Sequence, residues 1–212
     1  SPIRNLASFY NKIVTNISAA ERIFDMMDTP AEITDRKDAC ELPRIQGEVV
    51  FEHVSFAYTD EPDKQVLQDV SFQVKPGETI ALVGPTGAGK TTIVNLIGRF
   101  YDVTSGCILI DGCDIRQATL ASLRRQMGVM TQDSFLFTGT IRENICYGRP
   151  EAAEEEMIAA AKAVHAHEFI MAMENGYDTE VSERGTRLSV GQRQLLAFAR
   201  TMISDPQILI LD

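Results

Sequence analysis

The stretch Gly84-Pro85-Thr86-Gly87-Ala88-Gly89-Lys90-Thr91 limits what this chain can fold into more than any other. It fits G-x-x-x-x-G-K-[ST], in which glycines let backbone N–H groups wrap closely around a phosphate. Its surroundings suit that use. Thr79 to Val83 is a short apolar run that predicts a buried strand. Ile93, Val94, Leu96, Ile97 and Phe100 recur at helical spacing and predict a helix over 90–101. A strand, a glycine-rich turn and a helix in that order aim loop amides and the positive end of a helix dipole at an anion. Lys90 is then expected to reach the β- and γ-phosphates of a nucleotide, and the Thr91 hydroxyl to ligate Mg²⁺.

Composition removes several other classes. The chain has 212 residues and a formal net charge of −10, which argues against non-specific nucleic-acid binding. No apolar run approaches the ~20 residues that span a bilayer, and no signal peptide is visible. Cys40, Cys107, Cys113 and Cys146 form no C-x-x-C pair, so neither a zinc site nor a redox motif is read, and dispersed thiols fit a reducing cytosol. His165 and His167 would diverge on a helix, which predicts a solvated face rather than a metal site.

Residues 1–28 read as a helix, with Ile3, Leu6, Phe9 or Tyr10, Ile13, Ile17, Ala20, Phe24 and Met27 on one stripe. The pattern fits a helix docked on its own domain or the cytoplasmic tail of something larger. Residues 29–46 read as a linker. From Gly47 the period becomes two, and runs ending at Tyr58 and spanning 66–74 predict an antiparallel hairpin. A strand over 107–110, a short helix over 119–126 and a buried strand over 127–131 continue an α/β pattern. Helices follow over 140–148, from Pro150, and over 159–173, the last stopped by Asn175-Gly176. Ser189 and Gln192 have capping-box spacing before another helix, and Ile208 to Leu211 is an apolar strand ending at Asp212. The fold expected is α/β: a P-loop NTPase (RecA-like) core over 47–139, with an antiparallel β subdomain, an inserted helical subdomain over 140–203, and a returning core strand over 204–212.

These motifs, in this order, closely resemble the ATP-binding cassette (ABC) ATPases. Gly84 to Thr91 resembles Walker A, Gln132 the Q-loop glutamine, Leu188-Ser189-Val190-Gly191-Gln192 the LSGGQ signature, and Ile208 to Asp212 Walker B. The resemblance covers 47–212 and implies roles at the matching positions. Tyr58 would stack on adenine. Gly84, Thr86, Gly87, Ala88, Gly89, Lys90, Thr91 and Thr92 would hold the ATP phosphates. Thr91, Gln132 and Asp212 would order Mg²⁺, with Lys90 and Gln132 serving catalysis. Ser189, Gly191 and Gln192 would face the γ-phosphate held by a second nucleotide-binding domain, in a homodimer or heterodimer.

Residues 1–28 are similar to the end of the last membrane-spanning helix of an exporter whose membrane domain shares the chain, and 179–185 resemble the X-loop that touches that domain. The resemblance thus implies ATP-driven export at the cytoplasmic face of a membrane, with this stretch itself soluble. A soluble ABC ATPase without a transporter, or a non-catalytic nucleotide-binding module, is the alternative. Three features depart from the pattern. Val190 replaces the central glycine of LSGGQ, and Ser182 stands where the X-loop commonly has glycine. The residues given stop at Asp212, before the position where the family usually has the glutamate that polarises water. These 212 residues alone are therefore expected to bind nucleotide and hydrolyse it poorly.

Overall fold

The computed structural model describes residues 2–130, 135–181 and 188–211, with only the backbone at positions 3–8 and 11. The chain divides into two compact units, 1–34 and 35–212. The first is dominated by helix α1 (Pro2–Met27), as the periodicity predicts. Its large described apolar residues, among them Tyr10, Ile17 and Phe24, are exposed.

In the second unit, strand β1 (Val49–Ala57) pairs antiparallel with β2 (Gln65–Val74) and with β3 (Ser105–Ile110). The two-residue strand β4 (Cys113–Asp114) extends the sheet to the order β2-β1-β3-β4. Val49, Phe51, Val54 and Phe56 are all buried although the alternation slips by one between Phe51 and Val54. A bulge absorbs the slip: His53 takes φ 50°, and the register shifts between Phe51 and Val54. Opposite the bulge, a Cβ on Gly106 would lie 2.3 Å from the Glu52 carbonyl oxygen, so only glycine fits there. The buried face packs Phe51 on Phe72 at 4.4 Å between ring centroids. Leu96, from helix α2 (Lys90–Ile97), joins the same core.

The end of α2 is held by the next helix, α3 (Leu120–Arg125). Arg124 donates from Nε to the Gly98 carbonyl at 3.0 Å and from its terminal nitrogen to the Arg99 carbonyl at 2.8 Å. These bonds satisfy carbonyls that a helix end leaves without partners. Arg99 itself is 1% exposed, and its charge is matched by Asp102 at 2.9 Å. Thr119 caps α3 by accepting from the Ser122 amide. Residues 35–46 are tied to α3: Leu42 donates to Ser122 Oγ, Ile45 to Gln126 Oε1, and Asp35 accepts from the Leu120 amide.

Strand β5 (Met127–Met130) pairs in parallel with β8 (Ile208–Leu211). The strand expected over Thr79 to Val83 is absent. This run forms no ladder among the described residues, and Val83 is 91% exposed. Apolar character marks such a run for a sheet interior, but a central parallel strand takes its backbone bonds from neighbours on both sides, and neither β5 nor β8 pairs with it.

The remaining elements surround a second apolar core, to which all but β6 contribute. They are β6 (Gly139–Thr140), α4 (Ile141–Cys146), α5 (Glu154–Ala163), α6 (His167–Met171), β7 (Glu180–Val181) and α7 (Val190–Met202). A 3₁₀ turn at Gly176–Asp178 precedes β7. The helix predicted from Pro150 begins later, at Glu154, because Pro150 to Ala153 turn and Glu156 reaches back to cap the Ala153 amide at 2.8 Å. The helix predicted over 159–173 breaks in two. His165 adopts φ 57°, and the Ala166 amide donates to the Ala161 carbonyl at 2.8 Å, a Schellman-type end made without glycine. His167 is consequently not on a solvated face; it is half-buried and hydrogen-bonded through Nδ1 to the Tyr177 hydroxyl at 2.9 Å.

Candidate nucleotide site

The loop over 84–89 enters α2 through Gly89, which holds φ 88°, and Gly87 holds φ 83°. At Gly89 a Cβ would also lie 2.7 Å from Leu67 Cδ2, so the loop is seated directly on the β2 face of the sheet. Around Gly87 the same added atom would meet nothing within 4 Å. The glycine at 87 therefore answers to backbone conformation, and the one at 89 to both conformation and packing. Lys90 folds back over the loop, and its Nζ donates to the carbonyls of Gly84 at 2.8 Å and Pro85 at 2.9 Å. Two of the three ammonium protons are thus spent inside the loop. Thr91 is exposed beside it, and Thr92 is buried.

Tyr58 follows the last residue of β1, on the edge where α2 begins. Its hydroxyl shares a hydrogen bond with Thr92 Oγ1 at 3.1 Å. Its ring meets Phe56 and Tyr101 edge-on, at 4.9 Å and 5.2 Å between centroids. The structure thereby brings the predicted aromatic and the predicted phosphate loop together through one side-chain contact.

Ser189 caps α7. Its Oγ accepts from the Gln192 amide at 3.1 Å, and Gln192 Oε1 accepts from the Ser189 amide at 2.9 Å. The capping box expected from spacing is present. Val190 is 63% exposed, and an added Cβ on Gly191 would meet nothing within 4 Å. Gln132, Asp212 and residues 182–185 of the X-loop reading lie outside the described residues, and no group of three metal-ligating side chains occurs among the described ones.

A polar cluster that periodicity does not reveal ties α4 and α7 to Phe135 and Phe137. Asn144 on α4 is 1% exposed. Its Oδ1 accepts from the Phe137 amide at 2.9 Å, and its Nδ2 donates to the carbonyls of Phe137 and Thr140. Arg200 on α7 donates to Asn144 Oδ1 at 2.8 Å and to the carbonyls of Asn144 and Phe135. Its guanidinium also lies 5.1 Å from the Phe137 ring centroid. Burial lowers the Arg200 pKa, but a guanidinium stays protonated in proteins. The only sequence signal was two polar residues inside otherwise amphipathic helical runs.

Known proteins place this arrangement. The family model described as "ABC transporter" matches residues 67–212, well over half of the chain. The fatty acid ABC transporter ATP-binding/permease protein of Mycobacterium bovis is 48% identical over the whole of this chain, which covers 33% of that protein. The ATP-dependent lipid A-core flippase of Syntrophus aciditrophicus is likewise 48% identical over the whole chain, covering 35% of that protein. The chain thus spans about a third of the length of these curated relatives. Among solved structures, a bacterial Atm1-family ABC exporter with ATP bound superposes with a TM-score of 0.85 at 44% identity, over 96% of this chain and 35% of the other. With this family match and these relatives, the chain belongs to the ABC transporter family.

Proposed function

We propose that this chain binds and hydrolyses ATP with Mg²⁺ at the cytoplasmic face of a membrane, as the ATP-driven domain of an exporter whose membrane domain lies in the same polypeptide. The observation that carries the nucleotide reading is the Tyr58–Thr92 hydrogen bond, which ties an aromatic ring to the helix that follows the phosphate loop. Adenine would stack on Tyr58. The amides of 86–92 would hold the phosphates, with the remaining Lys90 proton directed at them. Thr91, Gln132 and Asp212 have only oxygen donors to offer, which suits a hard cation. Bound Mg²⁺ would neutralise charge on the transferring phosphate. Gln132 would orient the attacking water. The exporter part of the reading is supported by the named relatives and by the exposed apolar stripe of α1.

In the same reading, Ser189, Gly191 and Gln192 act on nucleotide held by a second nucleotide-binding domain. The open space at Gly191 supports this: nothing among the described residues requires glycine there. Gly191→Ala in the full-length protein should therefore stabilise α7 by up to about 1 kcal/mol, since glycine is a poor helix residue. It should nevertheless lower ATP turnover at least tenfold, because the new methyl group would intrude on the partner's nucleotide. Thermal unfolding and turnover, measured on the same samples, check it; a stabilised variant with undiminished turnover refutes the two-subunit assignment.

Adenine stacking has its own readout. Tyr58→Ala should raise the KM for ATP about tenfold, in line with ~1–3 kcal/mol per stacked base, and Tyr58→Phe should keep KM within about threefold of wild type. Equal KM values for all three proteins would remove Tyr58 from the site.

A further inference from the structure

Tyr58 lies just past the end of β1, and a segment far along the chain closes on its ring. That segment is residues 98–104, between α2 and β3. It is anchored on both sides. Near its start Arg99 is buried at φ 49°, donating from Nε to Asp102 at 2.9 Å and from a terminal nitrogen to the carbonyls of Ile115 at 3.3 Å and Ala118 at 3.2 Å. At its end the Thr104 amide donates to the Ser55 carbonyl at 3.0 Å, and Thr104 Oγ1 accepts from the Ala57 amide at 3.2 Å. This second anchor sits on β1 right beside Tyr58. Between the anchors, Phe100 is exposed, with the Arg124 guanidinium 4.6 Å from its ring centroid, whereas Tyr101 packs against the core of the four-stranded sheet. The Tyr101 ring meets Tyr58 at 5.2 Å and 89° between planes, and Phe56 at 5.7 Å and 54°. Phe56 stands edge-on to Tyr58 at 4.9 Å, so the three rings contact one another pairwise. Aromatic pairs favour edge-to-face geometry, which sets the plane of the Tyr58 ring as well as its place.

We propose that Tyr101 is a positioning residue for the nucleobase: it holds the Tyr58 ring in the plane on which adenine stacks, without touching the nucleotide itself. The inference rests on the adenine-stacking reading of Tyr58. A ring ordered beforehand loses no freedom when the base arrives, so its support is felt in affinity for the base. The other two supports have further duties. Phe56 is buried in the sheet core, and Thr92 lies in the first turn of α2, behind the phosphate loop. Tyr101 is half-buried, and what it offers both aromatics is ring against ring. Its effect should therefore follow the ring rather than the hydroxyl, and it should vanish once Tyr58 is gone.

The test compares wild type, Tyr101→Leu, Tyr101→Phe, Tyr58→Ala and the Tyr58→Ala/Tyr101→Leu double variant in the full-length protein. Each is assayed for KM and kcat with ATP, and for competitive inhibition by tripolyphosphate, which carries the phosphates without a base. Tyr101→Leu should raise KM about fivefold, the scale of one aromatic pair, with kcat and the tripolyphosphate inhibition constant within about twofold of wild type. Tyr101→Phe should restore the wild-type KM, and the double variant should match Tyr58→Ala. Tyr101→Met carries the same expectation as Tyr101→Leu, with a flexible side chain that fills gaps, and replaces it if the leucine variant does not fold. The proposal is overturned if Tyr58→Ala raises KM while Tyr101→Leu does not, or if Tyr101→Phe behaves as Tyr101→Leu. It is equally overturned if Tyr101→Leu lowers kcat or weakens tripolyphosphate inhibition to the same extent, or if its effect persists in full on top of Tyr58→Ala. An unchanged KM in Tyr58→Ala removes the stacking reading itself, and this inference with it.

Discussion

Lys90→Ala in the full-length protein should lower ATP turnover by about 10²–10³-fold, the usual cost of removing one preorganised charge from a transition state. Its fold should be unchanged. The lysine's two hydrogen bonds go to Gly84 and Pro85, carbonyls of an exposed loop, and water can replace it there. The loop's shape rests on Gly87, Gly89 and the seat against Leu67, none of which the substitution touches. Lys90→Arg should not rescue, because a planar fork does not replace a compact ammonium inside the loop. Steady-state turnover beside circular dichroism separates the outcomes. Turnover within threefold of wild type would mean that the loop does not hold the reacting phosphates.

The largest loss of stability should come from Asn144→Leu. The substitution keeps volume in the core but strips partners from the Phe137 amide and from one Arg200 nitrogen. Leaving those groups buried without partners costs about 3 kcal/mol, which for a domain of this size is a fall in Tm of roughly 10 °C. Arg142→Ala is the matching surface control. Arg142 pairs with Asp178 at 3.0 Å and Glu154 at 3.1 Å, but both acids are well exposed. Such pairs contribute under about 1 kcal/mol, so its Tm should move by only a few degrees. If the two variants unfold together, the Asn144–Arg200 cluster is not what holds residues 135–137 to the helical core.

Much of the shape of the loop over 84–89 could be read from residue types, because the glycines and the helical run after them are each demanded locally. The Ser189–Gln192 cap was equally legible, being a contact over three residues. The contacts that assemble the site were not. Tyr58 and Thr92, or Asn144 and Arg200, are far apart in sequence, and nothing in periodicity pairs them. Thr79 to Val83 read as a strand since its composition reports a preference for burial, whereas a strand exists only where a neighbour supplies the ladder. No glycine or proline marks the break at His165, so residue types do not show it. The strands β6 and β7 are two residues long, too short to carry a period.

In the proposed two-chain site, one chain's phosphate loop is completed by another chain's signature helix. Its most direct test replaces Val190, exposed at the start of α7, with the photo-cross-linker p-benzoylphenylalanine in the full-length protein in native membranes. With ATP and Mg²⁺ present, illumination should join it to a second polypeptide, and the captured peptide should contain that polypeptide's phosphate loop; without nucleotide the yield should fall at least tenfold. Cross-links confined to its own chain, or formed equally with and without ATP, would contradict the account.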